Sequence, residues 1–288
     1  MALLLRDAQA KDIDIIAVQE PWLNSHAPTT YCPNSSPFVP VFGTQSKRSC
    51  ILVNKRLDIN KWEGKISGQD LCSVRIQEEH SVIWVHSVYS QPPGLFSAKI
   101  QDYPNPLNLL AELLEEEGAH DHIVTGDFNL HHPIWGSIDV PVPHTAADSL
   151  IEIIIERGGC QLLTPPGTIT FPTSRKGTTI DLSFGSGTLV DRLLECRIAT
   201  ELDHGSDHLP TLLRLEAGVS LAPVRPSRCW KRLDIDKARA CVSNLDTSSP
   251  ILTPEDLERY AKYLSERVQH ALDQAVPWKR PSKFANHW

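Results

Sequence analysis

His122-Ile-Val-Thr-Gly-Asp-Phe-Asn129 decides the fold class of this chain. A short β-branched run, His122 to Thr125, passes straight into Gly126-Asp-Phe-Asn129, which sets Asp127 and Asn129 at the carboxyl end of a strand. The arrangement recurs outward in both directions. The run Ile13 to Val18 meets Gln19-Glu20-Pro21, where proline discourages continuation and leaves Glu20 at a strand end. Cys50 to Val53 and Val82 to Tyr89 are further strands, the second closed by Gln91-Pro-Pro-Gly94. Thr178 to Phe184 alternates with period two, so Thr179, Asp181 and Ser183 share one face and Ile180, Leu182 and Phe184 the other. The polar turn Asp203 to His208 precedes a last strand, Leu212 to Leu215. Helical periodicity marks Ala2 to Ala10, Leu107 to Glu117 and Ala146 to Arg157, the third stopped by Gly158-Gly159. Strands alternating with helices predict an α/β fold, and acidic residues fall where strands stop.

The 288 residues allow one large domain with an appendage, and 41% hydrophobic with 22% charged residues suits a packed core rather than disorder. Residues 1–221 hold 16 basic and 27 acidic side chains, net −11, whereas residues 222–288 hold 12 and 8, net +4. Together with the Pro-containing stretch Ala222 to Ser227, this predicts a boundary near Leu221, with domains 1–221 and 222–288. A net charge of −7 argues against coating nucleic acid by bulk electrostatics. The seven cysteines include no C-x-x-C pair, so reduced, buried thiols are expected. No apolar run approaches the roughly 18 to 20 residues of a membrane span, and the chain reads as intracellular with no membrane partner.

If Glu20, Asp127, Asn129, Asp181, Asp207 and His208 converge, four carboxylates, an amide and an imidazole share one site. Carboxylates so grouped raise one another's pKa unless a cation intervenes, and oxygen-rich ligation without cysteine favours a hard ion such as Mg²⁺, with Mn²⁺ as a substitute. A phosphate ester is the natural substrate of such a centre.

The motifs Gln19-Glu20-Pro21, Val88-Tyr89-Ser90, Gly126-Asp-Phe-Asn129, Thr179-Ile-Asp181 and Ser206-Asp-His208 occur in the order and approximate spacing of the endonuclease/exonuclease/phosphatase superfamily. Gly126-Asp-Phe-Asn-Leu-His-His-Pro-Ile-Trp-Gly-Ser137 most resembles the endonuclease domains of non-LTR (LINE-type) retrotransposons. The resemblance covers residues 1–216 and implies a four-layer sandwich of two mixed β-sheets flanked by helices. It also implies a metal-dependent hydrolase that nicks DNA and leaves a 3′-hydroxyl for a reverse transcriptase. By the same resemblance Glu20 ligates the metal, with Asp207 as a second metal-side carboxylate. Asp127 and Asn129 hold the attacking water or a phosphate oxygen, Tyr89 contacts the phosphate or leaving group, and Asp181 orients His208 toward the scissile phosphate. The choice of base between Asp127 and the Asp181/His208 pair, and of one metal or two, stays open.

Family members begin with a strand bearing an asparagine, followed by a helix. Met1 opens in what looks like that helix, so the first strand is expected to be missing and activity to be weak. An abasic-site endonuclease, exonuclease or phosphoinositide phosphatase would use nearly the same residues, and an inactive remnant that only binds nucleic acid or a polymerase is the alternative from another class. DNA is the expected partner, with a reverse transcriptase docking through the C-terminal segment and no small-molecule cofactor. Nuclear residence follows from the resemblance alone.

Other polar residues carry plainer expectations. Asp139, Asp148 and Asp203 are solvated charges or caps, and His26, His80, His86 and His144 are structural or surface residues. His131 and His132 serve packing or lie near DNA rather than bind zinc, and Trp135 belongs to the core. Lys47-Arg48, Lys55-Arg56 and Arg175-Lys176 are solvated surface pairs that can contact phosphates. Thr253 to Val276 forms an amphipathic helix with Thr253 as N-cap, Pro254 in the first turn and Leu257, Tyr260, Leu264, Val268, Leu272 and Val276 on its apolar face.

Overall fold

The computed structural model describes residues 2–5, 13–26, 29–42, 48–92, 104–136, 140, 143–173, 176–202, 205–221, 228–243, 245 and 253–278. Two compact units divide the chain, Met1–Ala222 and Pro223–Trp288.

In the first unit the strands are β1 (Ile15–Gln19), β2 (Phe38–Val41), β3 (Ser49–Asn54), β4 (Trp62–Ile66), β5 (Leu71–Gln77), β6 (Val82–Tyr89), β7 (Asp121–Asp127), β8 (Cys160–Leu162), β9 (Asp181–Ser186), β10 (Leu193–Ile198) and β11 (Thr211–Leu215). Six of them form a mixed sheet in the order β4-β5-β6-β7-β9-β8, in which only β6 and β7 run parallel. A parallel pair needs a crossover, and the helix Pro106–Glu116 supplies it, capped by the Asn105 side chain. The α/β architecture expected from the sequence is therefore present, with helices flanking a central mixed sheet.

One face of this sheet packs on the helices. Leu110 and Leu114 of Pro106–Glu116 join Leu150 and Ile154 over Val124, Leu182 and Phe184. The predicted helix over residues 146–157 is α-helical in Thr145–Leu150 and π-helical in Ile151–Arg157, and it ends at Gly158 followed by Gly159 with φ 61°. Trp135 is fully buried, as expected, and its indole N–H donates to the Leu130 carbonyl at 2.9 Å, so its burial leaves no polar group stranded.

The other face packs on a second β-layer. It consists of two antiparallel pieces, a three-stranded sheet β1-β3-β2 and a two-stranded sheet β10-β11. Ile51, Val53 and Val41 of the larger piece meet Val74, Ile83 and Ile123 of the six-stranded sheet. Near the carboxyl end of β1, Gln19 Nε2 donates to Ser87 Oγ at 2.9 Å and Ser49 Oγ to the Ser87 carbonyl at 2.7 Å, pinning the two layers together. Leu5, in a helical segment at residues 2–5, covers the outer face of the three-stranded sheet with Phe38, Cys50 and Leu52. The remainder of the predicted helix over residues 2–10 lies outside the described residues.

In the second unit the helix Pro254–Ala275 has the expected start, a capping box in which Thr253 Oγ1 accepts from the Asp256 N–H and Asp256 accepts from the Thr253 N–H. Arg228 closes its other end. The guanidinium donates to the Leu272 and Val276 carbonyls at 2.8 and 3.1 Å, pairs with Asp273 and lies 4.1 Å from the Trp278 ring centroid. The apolar face expected of this helix is only partly covered: Ala271, Ala275 and Val276 are buried, while Leu257 and Val268 are exposed. No helix among the described residues is long and apolar enough to cross a membrane.

Candidate active site

Strand register builds the site. Tyr89 on β6 lies opposite Asp127 on β7, and Asp127 lies opposite Asp181 on β9, so three predicted residues form a row across the end of the six-stranded sheet. Gly126 makes the close approach of β6 and β7 possible, because a Cβ there would sit 1.9 Å from the Val88 carbonyl oxygen. Phe128, fully buried and edge-on to Phe184, anchors the turn that follows. Asn129 takes the left-handed conformation at φ 53°, which asparagine tolerates better than most residues. In that conformation its backbone N–H donates to Asp127 Oδ1 at 3.1 Å and its Nδ2 donates to Asp127 Oδ2 at 2.9 Å and to the Ser90 carbonyl at 2.9 Å. Both Asp127 oxygens are thus oriented by one neighbour.

Asp181 holds His208. The imidazole Nδ1 lies 3.0 and 2.9 Å from the two Asp181 oxygens, which makes Nδ1–H the donor and leaves Nε2 available for chemistry. Thr170 Oγ1 accepts from the Ile180 and Asp181 N–H groups, fixing the start of β9, and the Phe171 ring packs 4.7 Å from the His208 ring. The hydrogen bond from Asp181 raises the His208 pKa against the opposing effect of burial. Asp127 is 6% exposed, and burial, followed by the Asp181 charge, pushes its pKa up to about 7 despite the lowering influence of His208 and Asn129. Burial also raises the Tyr89 phenol, helped by a hydrogen bond to Glu20 and by the charges of Glu20 and Asp127, so Tyr89 stays a proton donor at neutral pH.

Glu20 is exposed, with φ 48°, and its N–H donates to the Arg48 carbonyl at 2.9 Å. Glu20 and Asp207 line the same cleft as Asp127, Asp181 and His208. Among the described residues, the group whose ligand atoms lie within 4.8 Å of one another is Asp127, Asp181 and His208, without Glu20 or Asp207. An oxygen-rich set with one imidazole and no thiolate suits a hard divalent cation.

Near Tyr89, Asp70 escaped the sequence reading and Arg48 departs from it. Arg48 donates from Nε and Nη2 to the two oxygens of Asp70, each at 2.6 Å, and its guanidinium carbon lies 5.2 Å from the Tyr89 ring centroid. It is therefore a fixed part of the site wall rather than half of a solvated pair, and Lys47 lies outside the described residues. Lys55 and Arg56 are also engaged, Lys55 with the Ser36 carbonyl at 2.6 Å and Arg56 with Asp14 at 2.6 Å, while Arg175 lies outside the described residues. His86 is structural, as expected: fully buried, bonded to Ser73 Oγ at 2.8 Å and stacked on His122. His131 packs against His144 at 4.7 Å and His132 against Trp135 at 5.1 Å, Asp148 is exposed, and Asp139 and Asp203 lie outside the described residues.

A family model described as endonuclease-reverse transcriptase matches residues 83–212, the span that carries Tyr89, Asp127, Asn129, Asp181, Asp207 and His208. The chain has the endonuclease/exonuclease/phosphatase fold. Solved structures sharing it include the endonuclease domain of TRAS1, a telomere-specific non-LTR retrotransposon, with a TM-score of 0.56 at 18% identity over 75% of this chain and 92% of that one. The 3′ phosphatase NExo from Neisseria, bound to a product DNA hairpin, gives 0.56 at 15% identity over 74% and 93%. The AP endonuclease LMAP from Leishmania major gives 0.57 at 15% identity over 74% and 81%. No curated protein matches by sequence. At these identities the likeness is one of fold, and this endonuclease/exonuclease/phosphatase fold hosts nucleases and phosphatases alike.

Proposed function

We propose that this chain is a divalent-metal-dependent phosphodiester hydrolase that nicks DNA, as the endonuclease part of a retrotransposon-type reverse transcriptase. The observation carrying the hydrolase reading is Asp127: a buried carboxylate facing a second carboxylate and an Asp181-held imidazole, all at one end of the sheet. Two carboxylates in that position call for a cation. Glu20 and Asp207, which line the same cleft, would hold it beside Asp127. When bound, Mg²⁺ or Mn²⁺ would neutralise charge developing on the phosphate and orient water.

The chain's own groups divide the remaining work. Asp127, oriented by Asn129, accepts the proton of the attacking water. His208, held toward its cationic form by Asp181, meets a phosphate oxygen. Tyr89 donates its hydrogen bond to the phosphate or leaving oxygen. DNA as substrate and the reverse-transcriptase partner rest on the sequence resemblance, and nuclear residence goes with them; imaging a tagged full-length chain checks the latter.

The test is conversion of supercoiled plasmid to open circles by the 288-residue chain in Mg²⁺ or Mn²⁺, with chelator as control. Nicking lost in chelator and in the Asp127→Asn variant supports the proposal. Phosphate release from phosphoinositides without nicking would overturn the DNA assignment, and nicking that survives chelation would overturn the metal requirement.

A further inference from the structure

Glu20 and Tyr89 belong to different β-layers. Glu20 directly follows β1 of the three-stranded sheet, whereas Tyr89 closes β6 of the six-stranded one. Register within either sheet does not set the distance between them, yet the Tyr89 phenol hydrogen-bonds to Glu20. Two residues just outside the strands carry the link. Arg48 precedes β3 and takes the place opposite Glu20, one step beyond the Gln19–Ser49 pair, and its carbonyl accepts the Glu20 N–H at 2.9 Å. Asp70 precedes β5 and takes the place opposite Tyr89, one step beyond the Leu71–Val88 pair, and its carbonyl accepts the Tyr89 N–H at 2.9 Å.

The side chains close the circuit across the layers. Arg48 donates from Nε to Asp70 Oδ1 and from Nη2 to Asp70 Oδ2, each at 2.6 Å, and its guanidinium carbon lies 5.2 Å from the Tyr89 ring centroid. The backbone of Arg48 thus bonds Glu20, while its side chain reaches the residue that bonds Tyr89 and the Tyr89 ring as well. The ties from Gln19 and Ser49 between the same layers end on Ser87 instead. The Arg48 and Asp70 side chains are 23% and 8% exposed, and burial raises the Asp70 pKa against the bonds and charge of Arg48. A pair that recovers so little of its desolvation adds little stability over apolar side chains. What it supplies is the fixed geometry of a planar fork.

We propose that Arg48 is a positioning residue: forked onto Asp70 and lying against the Tyr89 ring, it sets the Tyr89 hydroxyl relative to Glu20 and acts on the reaction only through that hydroxyl. Its effect on rate rests on the hydrolase reading given above, whereas its hold on Tyr89 rests on the geometry alone. A residue that works through one hydroxyl can cost no more when lost than the hydroxyl itself.

The experiment uses the full 288-residue chain, isotope-labelled at tyrosine Cζ, with the Tyr89 resonance identified by its absence from Tyr89→Phe. The expected result is that Arg48→Gln displaces this resonance in the same direction as Glu20→Gln does. The double variant Arg48→Gln/Asp70→Asn, which leaves no buried charge unpaired and so guards against a failure to fold, should displace it likewise. A resonance that neither Arg48 variant moves overturns the hold. Plasmid nicking reads the consequence: Arg48→Gln should lower kcat by about five- to tenfold with KM unchanged, and by less than about twofold where Tyr89 is already Phe. A raised KM at unchanged kcat makes Arg48 a direct DNA contact, and an equal loss in the Tyr89→Phe background makes it act elsewhere; either overturns positioning through Tyr89. A wild type that nicks nothing overturns the hydrolase reading instead, and the resonance then decides the hold by itself.

Discussion

The two ends of the six-stranded sheet each bury a carboxylate, and they treat it in opposite ways. At one end Glu78, 5% exposed, accepts from Arg192 Nη1 at 3.0 Å, from the Gly218 N–H at 2.7 Å and from Ser81 Oγ. Burial raises its pKa, but the bonds from Arg192, Ser81 and Gly218 outweigh burial and hold the carboxyl below the usual range. At the other end Asp127 is buried to the same degree beside Asp181, and its pKa rises to about 7. A buried charge that is neutralised within the chain belongs to the scaffold. One that meets another charge of its own sign marks a place built for something the chain does not carry.

The largest effect that would sharpen this contrast is catalytic. Asp127→Asn should lower plasmid nicking by about 10³-fold, in line with loss of a general base, without lowering the melting temperature of the metal-free chain. Loss of stability as large as the loss of activity would place Asp127 in the scaffold with Glu78. Asp181→Asn, which leaves His208 without its anionic partner, should cost about 10²-fold or more in nicking, with a shift in the pH–rate profile.

At the other end the reverse holds. Glu78→Gln should cost about 2 kcal/mol in urea denaturation, because Arg192 loses the nearer of its two carboxylate partners, Glu78 and Asp121, and leave the nicking rate of the folded chain unchanged. The pH dependence should separate the ends again. In chelator, the Asp127 contribution is fully present below its unfolded pKa near 4 and is lost as pH rises through about 7. The stability difference between the wild type and Asp127→Asn should therefore fall over that range, by on the order of 1 to 3 kcal/mol. The Glu78 contribution has the opposite sign, present above pH 5 and lost as pH falls through its lowered pKa. Denaturation curves from pH 3 to 8 measure both, and equal signs would erase the distinction. Smallest is Tyr89→Phe, which removes one hydroxyl from the site and should slow nicking by about tenfold.

Much of this was legible along the chain. Asp127, Asn129, Asp181 and His208 stand out because each follows or opens an apolar strand, and strand ends are where an α/β fold gathers polar groups. Trp135 could be assigned to the core from its size and surroundings. Other features had no local signature. Neither β5 nor β4 was expected: β4, Trp-Glu-Gly-Lys-Ile, shows no strand period because it is an edge strand with solvent on much of its surface, and β5 is buried on both faces for most of its length. Arg48 read as half of a surface pair because its partner, Asp70, is distant in sequence. Glu78 and Arg192 are further apart still.

By itself the sequence determined which residues can be strand ends, which of them are acidic and in what order they come, since alternation, proline and glycine act over a few neighbouring residues. Tertiary structure alone decided that Tyr89, Asp127 and Asp181 form one row, that Arg48 is taken by Asp70, and that β1 and β11 line a common cleft. The physical reason is register: which residues sit opposite one another depends on how whole strands pair, and that pairing is settled by burying the core between them.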